Sequence, residues 1–182
     1  MKRIIAVMFA LSLLLAVAAA GQEGARFTFP EYTKFQLDNG LTVYLLERHD
    51  VPMIYLSATV LAGGINDGDK YGLADLTANA LMFGAGERRK DEIEELIDFH
   101  GANLGTGGGL EAAQLNASFL AADADTFLAL SRDILIAPTF PAEEYKKYQQ
   151  RRLTQLARAK ESPGAVIGDY FARLVFGEHP YG

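Results

Sequence analysis

Polar and apolar positions alternate over Lys34-Phe35-Gln36-Leu37, break at Asp38-Asn39-Gly40, and resume over Leu41-Thr42-Val43-Tyr44-Leu45-Leu46. Two period-two runs joined through Asn-Gly predict a β-hairpin, because these residues accept the positive φ of a tight turn. After His49-Asp50-Val51-Pro52, the branched and aromatic run Met53 to Ala62 predicts a third, more buried strand. Gly63-Gly64 closes it, and Ile65 to Tyr71 reads as a polar connecting loop. Helical spacing then takes over. Leu73, Leu76, Ala80 and Phe83 recur at intervals of three and four, with Gly84 and Gly86 marking the end.

A second helix is predicted from about Lys90 to His100, with Ile93, Leu96, Ile97 and His100 on one face and Gly101 as its C-terminal cap. The glycine-rich stretch Ala102 to Gly109 and the strand-like Glu111 to Leu120 read as a loose hairpin. A third helix covers roughly Asp123 to Ala137 and stops at Pro138. Pro141 opens a fourth, running to about Lys160, and Pro163 opens a fifth, ending near Gly177. Strands, two helices, strands, then helices make an α+β pattern, with helices packed on a mostly antiparallel sheet.

The chain has 182 residues, of which 49% are hydrophobic and 22% charged, which excludes a disordered polar tract. Its net charge of −6 argues against binding nucleic-acid phosphate. With no cysteine there are no disulfides, thiolate metal sites or cysteine nucleophiles. Met1-Lys2-Arg3, the apolar run Ile4 to Val17 and the small residues Ala18-Ala19-Ala20 predict a signal peptide over 1–20, cleaved before Gly21. The apolar run is shorter than the roughly 20 residues that span a bilayer. A polar leader over 21–32 and a domain over 33–182 follow. The exported, acidic chain is expected in a bacterial periplasm or secreted, with no stable membrane span after cleavage. The abrupt end at His179-Pro180-Tyr181-Gly182 reads as the amino-terminal piece of something longer, an incomplete domain with an exposed sheet edge.

Candidate chemistry is sparse. His49, His100 and His179 show no i, i+4 pair of the kind a helical zinc site uses, so structural roles are expected for each. Gly105-Thr106-Gly107-Gly108-Gly109 lacks a phosphate-binding lysine. Asn66-Asp67-Gly68-Asp69 lacks the glutamate that closes a calcium loop. Lys146, Lys147, Arg151 and Arg152 read as the solvated face of a long helix.

Several phrases, taken in order, resemble one family. Phe35-Gln36-Leu37-Asp38-Asn39-Gly40-Leu41-Thr42-Val43, Gly72-Leu73-Ala74 before a helix, Ile136-Ala137-Pro138-Thr139-Phe140, and His179-Pro180-Tyr181-Gly182 are similar to landmarks of the pitrilysin/insulinase family of zinc metallopeptidases, which includes mitochondrial processing peptidase. The resemblance runs from about residue 33 to the end and implies that family's amino-terminal α+β domain. In active members the helix after Gly-Leu-Ala carries H-x-x-E-H, two histidines for zinc and a glutamate that activates water, and a later helix adds a glutamate. Here the corresponding positions are Asp75, Ala78, Asn79 and Gln155. The resemblance therefore implies a degenerate site: no catalytic residue, no metal ligand set, and no cofactor in this chain, zinc being expected only in a partner subunit. Without the general base, catalysis loses a factor of about 10²–10⁴ even with a metal present.

Three functions follow from that resemblance. The first is a catalytically silent peptidase homologue that pairs with a zinc-bearing paralogue, forming a complex that degrades or processes peptides or unfolded proteins. The second is a stand-alone periplasmic binding or scaffold protein. The third is an active zinc metalloendopeptidase with a relocated site, which three scattered histidines disfavour.

Overall fold

The computed structural model describes residues 29–182; the predicted signal peptide and most of the leader lie outside the described residues. The chain divides into two units, 1–49 and 50–182, each described by itself. In the first, β1 (Thr33–Gln36) and β2 (Thr42–Leu45) pair antiparallel, Gln36 opposite Thr42. Gly40 takes φ 87°, as the Asn-Gly signal requires, and Asn39 Oδ1 accepts the Leu41 N–H at 3.1 Å.

The second unit is built on three antiparallel strands in the order β3-β7-β6: β3 (Met53–Val60), β6 (Asn103–Gly108) and β7 (Ala113–Leu120). Between them in sequence come α1 (Leu73–Ala80), a 3-10 turn, the two-residue strands β4 (Gly84–Ala85) and β5 (Arg88–Arg89), and α2 (Lys90–Phe99). Three helices follow: α3 (Ala124–Ile136), α4 (Ala142–Ala159) and α5 (Pro163–Phe176). The loose hairpin is borne out as β6 and β7, and Gly101, at φ 59°, ends α2 as its position predicts. No helix of the described residues is long and apolar enough to cross a membrane.

Register sorts the sheet into two faces. Ile54, Phe119, Leu56, Ala117, Leu104, Ala58 and Leu115 share the helix-facing side. There Phe119 stacks on Phe127 of α3, centroids 5.2 Å apart, with Ile93, Leu130 and Ile134 fully buried around them. The other face carries Tyr55, Ser57, Asn103, Gln114, Asn116 and Ser118, with glycine at 105 and 107. β3 is the more buried strand expected, with Met53, Ile54, Leu56 and Ala58 half-buried where β1 and β2 are almost wholly exposed. It is an outer strand among the described residues, and its other face is open, so Tyr55 stays 79% exposed.

Two polar contacts fix the helix ends. Asp67, in the loop before α1, accepts the Gly72 N–H on Oδ2 at 2.7 Å and the Ala74 N–H on Oδ1 at 2.8 Å. It thereby satisfies donors that the helix itself leaves open. His100 Nδ1 lies 3.0 Å from Asp123 Oδ1, joining the end of α2 to the start of α3, and its ring meets Phe127 edge-on. Asp67→Ala is expected to cost about 1–3 kcal/mol, and Phe127→Ala about 3–5 kcal/mol through a core cavity. Urea unfolding of the full-length protein checks both.

Candidate functional site

α1 is held against β6 by two contacts. The Thr106 hydroxyl donates to the Ala78 carbonyl at 2.6 Å, and the backbone of Gly108 passes so near α1 that a Cβ there would lie 2.5 Å from Asp75 Cα. Only glycine fits at 108. Because α1 turns 3.6 residues per cycle, Asp75, Ala78 and Asn79 fall on one side of it. Ala78 is buried beneath that side, while Asp75 and Asn79 are partly exposed.

The side chains are already engaged. Asn79 Nδ2 donates to the Asp75 carbonyl at 2.7 Å and to Asp75 Oδ1 at 3.0 Å. Asp75 Oδ2 faces Arg152 Nη2 of α4 at 3.5 Å, both side chains being partly exposed. Tyr148, one turn before Arg152, packs against Phe83 with centroids 5.4 Å apart, and Arg151 lies over its ring at 5.4 Å. Burial pushes the Tyr148 phenol up and the Asp75 carboxylate adds to this, while Arg152 and Arg151 oppose it. Gln155 follows on the same helical stripe as Tyr148 and Arg152 and is exposed. The four positions singled out by resemblance therefore lie on two helices that Arg152 and Asp75 join.

Zinc is a poor fit to this donor set. Asp75 is the one carboxylate among the four, Ala78 has no donor, and Asn79 and Gln155 are neutral amides. Among the described residues no group of three or more His, Cys, Asp or Glu side chains is placed to hold a metal ion. His49 is exposed, and His100 is committed to Asp123.

The α4 cations Lys146, Lys147, Arg151 and Arg152 are all exposed, as expected of a solvated face. Within it Lys146 and Lys147 pair with Glu143 and Glu144, while Arg152 faces Asp75 and Arg151 lies over Tyr148. Neither Tyr148 nor Arg152 was read as a site position from the sequence, although they lie seven and three residues before Gln155 on one helical stripe.

Against known proteins, the profile of the insulinase family (peptidase family M16) matches residues 43–182. The chain belongs to the insulinase family. It is 28% identical over 149 residues to an uncharacterized zinc protease of Rickettsia bellii, covering 81% of this chain and 36% of the relative. An uncharacterized zinc protease of Rickettsia felis is 24% identical over 148 residues, with the same coverage. Among solved structures, the peptidase M16 inactive domain from Pseudomonas fluorescens superposes with a TM-score of 0.77 at 25% identity, over 83% of this chain and 37% of that one. A protease from Helicobacter pylori, at 17% identity, shares the fold with a TM-score of 0.75, over 84% of this chain and 37% of that one. The chain thus spans little more than a third of the length of these relatives. The expected α+β insulinase-like fold is borne out.

The charges around Tyr148 give a direct test. Arg152→Gln removes a cation that lowers the phenol's pKa and is expected to raise it; Asp75→Asn removes an anion that raises it and is expected to lower it. Alkaline titration of tyrosinate absorbance, with Tyr148→Phe subtracted to isolate this phenol, reads both directions.

Proposed function

We propose that this chain is part of an exported, catalytically silent insulinase-family protein that binds peptides or unfolded segments and works beside a zinc-bearing paralogue. The observation that carries the reading is the state of α1. Where the family resemblance places H-x-x-E-H, the chain has Asp75, Ala78 and Asn79, and the Asp75 carboxylate is occupied by an amide and a guanidinium. No histidine lies on α1, and the buried Ala78 offers nothing to take a proton from water.

Four further points support it. The Pseudomonas fluorescens structure that shares this fold is described as an inactive domain, so the fold is compatible with a non-cleaving role. β6 is an outer strand of its sheet among the described residues, leaving backbone donors and acceptors for an extended peptide beside α1. A neighbour sharing the fold at 20% identity is a ferredoxin protease variant in complex with Arabidopsis ferredoxin; it covers 86% of this chain and 18% of that one, with a TM-score of 0.70. Export rests on the basic, apolar and small-residue order of residues 1–20.

Metal analysis and peptidase assays on purified full-length protein test the first half of the proposal. The expected result is less than stoichiometric zinc and no cleavage sensitive to chelators; stoichiometric zinc with chelator-sensitive peptidase activity overturns it. Co-expression with a zinc-bearing paralogue tests the second half. Co-purification and faster peptide turnover than the paralogue alone are expected, and a protein indifferent to the paralogue favours the stand-alone binding role.

A further inference from the structure

The structure assigns a carboxylate-binding point to Arg152, anchored by Asp75 and flanked by Arg151 and Tyr148. We infer that it receives an acidic group of a bound peptide, either an Asp or Glu side chain or the terminal carboxylate. The inference rests on the peptide-binding role proposed above and deepens it by naming the chemistry preferred.

The argument begins with charge. Around the Tyr148 phenol lie two guanidiniums and one carboxylate, a local balance of one positive charge in a chain that is acidic overall. Geometry comes second. Arg152 meets Asp75 through one nitrogen at 3.5 Å, so this contact is not the two-bond fork that would consume the guanidinium's donors. The remaining N–H groups stay available, and the side chain is 45% exposed. Asp75 is itself held by Asn79, which gives Arg152 a fixed partner and limits the freedom lost when a ligand binds. Tyr148, whose phenol is pushed up by burial, keeps its proton at neutral pH and is a hydrogen-bond donor beside the same spot. A planar fork with a hydroxyl beside it suits a carboxylate better than a carbonyl.

Position is the third point. Gly108, the last residue of the outer strand β6, abuts the Asp75 backbone. A peptide lying along β6 in the parallel sense brings its carboxyl end to this point, whereas one lying antiparallel brings its amino end. A terminal carboxylate therefore demands the parallel arrangement, while an acidic side chain is served by either.

The test uses full-length protein and fluorescently labelled ten-residue peptides read by anisotropy. One pair differs by Glu against Gln near one end; the other differs by a free against an amidated C-terminus. At about 0.05 M salt the acidic member of at least one pair is expected to bind about tenfold more tightly, the difference shrinking toward 0.5 M as charges are screened. Which pair responds identifies the source of the carboxylate. Arg152→Gln is expected to weaken the acidic peptide about tenfold more than the neutral one, which erases the preference, and Arg152→Lys to restore part of it. Arg158→Gln, an exposed cation further along α4, is expected to leave the preference intact. Equal preference in wild type and Arg152→Gln overturns the inference, as does equal loss of acidic and neutral peptides. Failure to bind any of the peptides overturns the peptide-binding role itself, and with it this inference.

Discussion

The meeting of α1 and β6 governs the second unit. Gly108 brings the end of the strand into contact with the first turn of the helix, and Thr106 ties the strand to the Ala78 carbonyl one turn later. With those two contacts made, the rotation of α1 about its axis is fixed. Ala78 must face inward, and Asp75 and Asn79 must lie where α4 reaches them. A side chain at 108 would push the helix off the sheet by more than its own packing tolerates. The Asp75–Arg152 pair depends on this placement and adds modestly to it, since a half-exposed ion pair contributes at most about 1 kcal/mol.

The core explains why the helices lie where they do. One face of β3-β7-β6 is apolar and the other amide- and hydroxyl-rich, so α2 and α3 gather on the apolar side around Phe119, Phe127 and Ile93. Shallow depressions of about 310 and 480 Å³ are formed largely by residues of the amide-rich face, such as Asn103, Asn116 and Gln114. The charged chemistry lies with Asp75 and α4 instead. Neither depression is lined by Asp75, Tyr148 or Arg152.

Much of this was legible from the amino acids. The turn at Asn39-Gly40, the cap at Gly101 and the alternation through β7 each announce themselves within a few residues, because the physics that sets them is local. β4 and β5 are two residues long, and no periodicity exists over two residues. The greater burial of β3 was legible in its branched and aromatic residues, but its place at the edge of the sheet depends on its neighbours, which its own composition does not encode. Arg152 was hidden for a related reason: it stands in a run of cations, and only the crossing of two helices separates it from its neighbours. Resemblance supplied Asp75, Ala78, Asn79 and Gln155, but could not show that an arginine joins them.

Asp67 carries a last consequence. Its carboxylate holds the start of α1 from outside the helix, through backbone N–H groups rather than side chains. That arrangement involves no side chain at positions 75, 78 or 79. A helix anchored in this way needs no ion to stay folded. Its outward residues can vary through substitution while the anchored start of the helix persists.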